Sequence, residues 1–169
     1  TMSVGKTTLV NALKETKQFK NYMFRTERSK FLMEQGIPLN TDSTLKGQTV
    51  FLAERCAELI QADIITDRTV IDVMAFTLNA KSIPYQDKEA FEEYAKEFIR
   101  EYDYIFYISP YGIDIEDNGV RETDEHYRDL IDFTITTLIK RYGHKAGKIE
   151  KISGSTNERI QQILNITGL

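Results

Sequence analysis

Five consecutive apolar residues, Tyr104-Ile105-Phe106-Tyr107-Ile108, constrain the fold of this chain more than any other stretch. A strand that is apolar without alternation is buried on both faces, and that requires helices packed on either side of its sheet. Shorter β-prone runs lie at 21–24, at Ile64-Ile65-Thr66 and at 148–152. Between them, apolar residues recur at helical spacing. The spacing predicts helices over 7–13, 26–35, 41–61 and 70–78, a helix from Asp87 to Tyr102, one from Tyr127 to Tyr142, and a last one opened by Ser155-Thr156-Asn157-Glu158, a capping box. Thr41, Asp42 and Ser43 are good cap types for the third helix, and Gly36 and Pro38 stop the second. Strands alternating with helices give an α/β fold with a mostly parallel central sheet. A polar loop at about 110–122 is long enough to act as a lid.

The chain opens on Ser3-Val4-Gly5-Lys6-Thr7-Thr8. Gly5, Lys6 and Thr7 supply the G-K-T that ends a phosphate-binding loop of the form G-x-x-x-x-G-K-[ST]. Gly5 allows close backbone approach to phosphates, and successive N–H groups form an anion cradle. Lys6 adds a mobile charge for the β and γ phosphates, and Thr7 offers a hydroxyl to Mg²⁺. Ser3, Val4, Gly5, Lys6, Thr7 and Thr8 are therefore candidate ATP-binding residues. The motif's first glycine would fall one residue before Thr1, as would the apolar strand that feeds such a loop. We expect that strand in the natural protein, at the centre of a three-layer sheet fold.

The chain has 169 residues, a length that suits one domain with a good core. No apolar run is long enough to span a membrane, and there is no secretory signal. The single cysteine, Cys56, excludes an intrachain disulfide and fits a reducing cytoplasm. His126 and His144 are too few and too isolated for a metal cluster. A net charge of −4 gives no general attraction to duplex nucleic acid, although Arg25, Arg28 and Lys30 cluster in sequence.

Asp67-Arg68 follows the Ile64–Thr66 run, so its carboxylate sits at the carboxyl end of a parallel strand, the ligand-binding edge of such sheets. There Asp67 can hold Mg²⁺ or accept a proton from an attacking hydroxyl. It is equally a favoured helix cap. Arg68 can clamp a phosphate or a substrate oxygen. Arg121, in the polar loop, can neutralise charge on a transferring phosphoryl group, or be an ordinary exposed loop arginine. Ser153-Gly154, after the last run, falls where a nucleotide base would pass, and is also a plain strand-to-helix turn.

These pieces resemble the P-loop kinases, and most specifically the NadR-like AAA-type kinase/ATPase family, which includes nicotinamide riboside kinase domains. The resemblance covers nearly the whole chain. It rests on S-V-G-K-T-T, on the Arg28 helix ending in Glu34-Gln35-Gly36, on Asp67-Arg68, and on Asp117-Asn118-Gly119-Val120-Arg121-Glu122. The Asp67-Arg68 pair is similar to one on the substrate side of thymidylate kinases, and Ser153-Gly154-Ser155 with Glu158-Arg159 looks like the adenine-side turn of such enzymes. Many members carry an acidic residue after the second strand. Here Arg25 stands near that position and Glu27 follows two residues on, which leaves the acceptor site less well defined than the ATP site.

The resemblance implies an ATP- and Mg²⁺-dependent kinase acting on a nucleoside, a nucleotide or a ribosyl compound. Lys6, Asp67 and Arg121 would be catalytic, Thr7 and Asp67 would hold the metal, and Arg25, Glu27, Arg28 and Arg68 would meet the acceptor. The size also suits the compact enzymes of phage nucleotide metabolism, which would place the protein in a host cytoplasm. A homodimer is compatible with the sequence. Two other classes fit the same loop: an ATPase or GTPase switch, whose turnover does not depend on an acceptor, and a kinase of modified nucleic acid, which needs a basic channel that the net charge does not favour.

Overall fold

The computed structural model describes residues 4–26, 28–113 and 125–169. Its elements alternate as expected: α1 (Lys6–Lys14), β1 (Met23–Arg25), α2 (Ser29–Glu34), α3 (Leu45–Leu59), β2 (Ile64–Thr66), α4 (Val70–Asn79), α5 (Tyr85–Ala95), β3 (Tyr104–Tyr107), α6 (Glu125–Tyr142), β4 (Lys148–Lys151) and α7 (Thr156–Thr167). Among the described residues the strands form two parallel pairs. β1 lies beside β2, with Phe24 opposite Ile65, and β3 lies beside β4, with Ile105 opposite Ile149. Gly147 lets β4 start against β3, because a Cβ there would lie 2.5 Å from the Asp103 carbonyl oxygen.

The pleat of β3 divides its side chains between two cores. Ile105 and Tyr107 face a cluster built from α3, α4, α5 and α6, in which Met74, Ala75, Ile99 and Ile131 are fully buried. Phe106, with Ile108 just beyond the strand, faces a second cluster with Leu9 and Leu13 of α1 and Ile163 and Leu164 of α7. The result is three layers: α1 and α7 on one face, the strands, and the remaining packed helices on the other. β2 and β3 are not hydrogen-bonded to each other, and a cavity of about 510 Å³ runs between their facing edges.

Several boundaries differ from the sequence reading, each for a local reason. The helix expected over 41–61 starts later. Residues Asn40–Asp42 form a tight 3-10 turn with Asn40 at φ 55°, and Thr44 is the cap, accepting a hydrogen bond from the Gly47 N–H at 3.1 Å. The helix expected from Asp87 to Tyr102 begins two residues earlier, at Tyr85. Pro84 precedes it, and its missing N–H costs nothing at a helix start. That helix tightens to 3-10 geometry over Lys96–Glu101. The Ser155–Glu158 capping box forms as read, and a second one, Thr69 with Asp72, opens α4.

One buried charge network sets a pH dependence. Arg55 is 2% exposed on α3, and its Nη2 reaches Glu58 at 2.9 Å. Burial pushes the Glu58 carboxyl up from 4.5 to about 7, against the lowering effect of Arg55 and with further raising from Glu54 and Asp67. A folded-state pKa above the unfolded one makes a stabilising contribution that is complete below about 4.5 and is lost as pH rises through about 7. Glu58→Gln is therefore expected to flatten the fall in thermal midpoint between acidic and mildly alkaline pH. Parallel profiles for the two proteins would contradict this.

Candidate functional site

The loop into α1 turns on Gly5, whose φ of 76° and ψ of 24° lie in the left-handed region that glycine adopts without strain. Val4 before it is 2% exposed and anchors the loop in the second core. From Lys6 onward the backbone is helical, so the N–H groups of the first turn have no partners within the helix and the positive end of its dipole faces the loop. This is the setting in which helix starts bind phosphate.

Opposite this turn, β2 ends at Thr66 and delivers Asp67, which is 6% exposed. The Thr7 hydroxyl donates to Asp67 Oδ2 at 2.7 Å, a bond between residues 60 positions apart. Two oxygen donors named from the sequence as a metal pair are thus brought together. Mg²⁺ takes oxygen ligands, usually one or two from protein with the rest from water and phosphate, and this pair fits that habit. Among the described residues no group of three or more His, Cys, Asp or Glu could hold a metal by itself.

Beyond Asp67 the chain turns into α4. Arg68 reaches Asp72 at 3.4 Å, and its guanidinium lies 5.3 Å from the Phe76 ring centre. Asp72, 9% exposed, also accepts from the Thr69 N–H at 2.9 Å and from its hydroxyl at 3.2 Å. Burial pushes the Asp72 carboxyl up, but Arg68, Lys6 and the Thr69 N–H are among the influences that outweigh it and hold the group below the usual carboxylate range. Lys6, Asp67 and Asp72 all border the cavity between β2 and β3.

The other sequence candidates are placed less centrally. Arg25 ends β1, and its Nη1 bonds back to the Phe24 carbonyl at 3.1 Å. Arg28, half exposed, pairs with Glu54 of α3 at 3.5 Å and stacks on Phe31. Ser153 and Gly154 are engaged by α7 itself. The Gln162 side chain bonds both the N–H and the carbonyl of Ser153, and Gly154 sits at φ 90° where a Cβ would meet Glu158 Oε2 at 2.5 Å. Ser3, Glu27 and Arg121 lie outside the described residues.

Two buried polar residues were not singled out as functional from the sequence, and a third, Arg159, was named only as part of a turn on the adenine side. Gln48, 3% exposed, and Arg55 share one face of α3. The signal was present: Leu45, Leu52 and Leu59 form a stripe at heptad spacing, and Gln48 and Arg55 interrupt it. Arg55 Nε and Nη1 are buried with no hydrogen-bond partner among the described residues. Arg159 of α7, 8% exposed, reaches the phosphate-loop backbone. Its sequence signal was the resemblance of Glu158-Arg159 to an adenine-side turn, which does not point to the Val4 carbonyl.

The model of the AAA domain family matches residues 1–159. No curated protein matches the sequence significantly. Among solved structures, the chain is similar to deoxyadenosine kinase from M. mycoides with products dCMP and a flexible dCDP bound, with TM-score 0.71, 17% identity, and 99% of this chain and 95% of that one covered. It is also similar to the NadR protein in complex with NR, with TM-score 0.73, 19% identity, and 99% and 49% covered. The same deoxyadenosine kinase with bound dCTP gives TM-score 0.70 at 16% identity, covering 99% and 95%. At these identities the likeness is one of fold, the α/β fold of P-loop kinases.

Proposed function

We propose, for a chain that belongs to the AAA domain family and has the P-loop kinase fold, ATP-dependent phosphoryl transfer to a small nucleoside, nucleotide or ribosyl acceptor. The observation that carries this reading is the 2.7 Å bond from the Thr7 hydroxyl to Asp67, which joins the end of β2 to the phosphate loop. The neighbours' bound compounds, dCMP, dCTP and NR, favour a nucleoside-type acceptor for this chain as well. No helix among the described residues is long and apolar enough to cross a membrane, which suits a small-molecule substrate.

In this mechanism the N–H groups of Gly5, Lys6, Thr7 and Thr8 cradle the ATP phosphates. The Lys6 ammonium follows the β–γ bridge, where negative charge grows as that bond breaks. Thr7 and Asp67 would hold Mg²⁺, which when bound would supply charge neutralisation on the phosphates. The acceptor hydroxyl attacks the γ-phosphorus, a new P–O bond forms as the bond to ADP breaks, and the hydroxyl proton leaves to a nearby carboxylate. Asp67 is the candidate base in the alternative in which it does not hold the metal. Arg25, Glu27, Arg28 and Arg68 are assigned to the acceptor, and Arg121 to the lid, on sequence grounds. The polar face of α3, with Gln48 and Arg55, offers an amide and a guanidinium, groups suited to a heterocyclic base edge. Catalysis on this plan is mostly positioning and electrostatic stabilisation.

The test is ADP release across a panel of nucleosides, deoxynucleosides, their monophosphates and nicotinamide riboside. A kinase gives slow ATP loss alone and fast loss with one acceptor class. Turnover indifferent to every acceptor would sink the proposal in favour of a switch, and turnover only with oligonucleotide ends would redirect it to nucleic acid.

A further inference from the structure

Arg159 rises from the first turns of α7, held there by the Ser155–Glu158 capping box and by its own N–H bonded to the Ser155 carbonyl at 3.0 Å. Its guanidinium crosses to the far end of the sequence. Nη1 donates to the Val4 carbonyl at 2.7 Å, and the same nitrogen lies 3.4 Å from where a Cβ on Gly5 would stand. Nε is buried with no hydrogen-bond partner among the described residues. A charged side chain that is 8% exposed needs a reason to be there, since burying its charge is costly.

The peptide geometry supplies the reason. The Val4–Gly5 bond is trans, so its carbonyl and its N–H point in opposite directions. With the Val4 carbonyl fixed on Arg159, the Gly5 N–H is aimed away from Arg159. Gly5 at φ 76° has wide freedom otherwise, because glycine adopts many backbone conformations. A Cβ at this position would only touch Arg159, at 3.4 Å, so it is the left-handed φ of 76° that favours glycine here.

We propose that Arg159 is a positioning residue for the phosphate cradle: by gripping the Val4 carbonyl it sets the direction of the Gly5 N–H toward the nucleotide's phosphates. This inference rests on the ATP-binding reading of the Gly5–Thr8 turn. It assigns Arg159 an effect on phosphates rather than on the base or sugar.

The experiment measures binding of ATP·Mg²⁺ and of inorganic tripolyphosphate, which has phosphates but no base, by calorimetry on the full chain. The variants are Arg159→Met, which keeps an unbranched apolar stem, Arg159→Lys, which keeps one charged donor, and Lys6→Ala. Arg159→Met is expected to weaken both ligands by about tenfold or more, the scale of a hydrogen bond to a charged donor. Arg159→Lys is expected to recover part of that loss. The proposal is overturned if folded Arg159→Met binds ATP within about twofold of wild type, or if it weakens ATP but not tripolyphosphate, which would place its effect on the base. If Arg159→Met does not fold, Arg159→Lys decides alone: weaker binding of both ligands supports the proposal and unchanged binding overturns it. Loss of binding in Lys6→Ala but not in the Arg159 variants defeats this inference and leaves the ATP reading standing. A wild-type protein that binds neither ligand defeats both.

Discussion

Lys6→Ala is expected to lower acceptor-dependent ADP formation by about 100-fold or more, the scale on which removing one preorganised charge-stabilising donor slows a reaction. Lys6 is the first residue of α1, half-buried, and it borders the cavity beside Asp67 and Asp72. Alanine is the best helix former, so α1 should persist without it. What disappears is the positive charge proposed for the β–γ bridge. Circular dichroism and the thermal midpoint should therefore stay near wild type while turnover collapses. Unchanged turnover in a folded variant would remove the phosphate-loop assignment, whatever the fold resemblance says.

Asp67→Asn tests the other half of the site. Asparagine is nearly isosteric and keeps an oxygen that can accept from the Thr7 hydroxyl, so the 2.7 Å contact has a replacement. The negative charge has none. If Asp67 holds Mg²⁺ or takes the acceptor's proton, turnover should fall by about 100-fold or more while ATP affinity measured without metal changes little. The concentration of Mg²⁺ needed for half-maximal activity should rise if the metal role dominates. A variant that loses thermal stability while its remaining folded fraction keeps full activity would show that Asp67 serves only as the turn into α4. Thr7→Ser, which retains the hydroxyl, should keep most activity and so separates loss of chemistry from loss of loop shape.

The layered α/β order was readable because β3 is an unbroken apolar run and the helices carry clear stripes. The placement of the candidate site was readable where it is local in sequence: G-K-T at a helix start, and Asp67 directly after a β-prone run. The structure added what separates in sequence and meets in space. Nothing in the residues around Val4 names Arg159, because their contact depends on how α7 docks against α1. Gln48 and Arg55 were hidden differently. Their spacing was visible, but polar residues in an apolar stripe acquire meaning only when burial shows that solvent does not reach them. Helix starts moved for reasons that spacing does not encode, as at Pro84 and Thr44, where turn geometry chose the cap.

The bond from Arg159 to the Val4 carbonyl spans 155 positions, and the Thr7–Asp67 bond spans 60. The phosphate turn is thus synthesised well before the residue of α7 that restrains it. Long-range contacts of this kind form only after the intervening chain has closed into a loop. A nascent chain that has emerged only as far as β4 would hold the G-K-T sequence without a fixed cradle for it. Arresting translation at successive lengths and titrating ATP should give an affinity that steps up when Arg159 clears the exit tunnel, so that nucleotide capture waits on the arrival of α7 during synthesis.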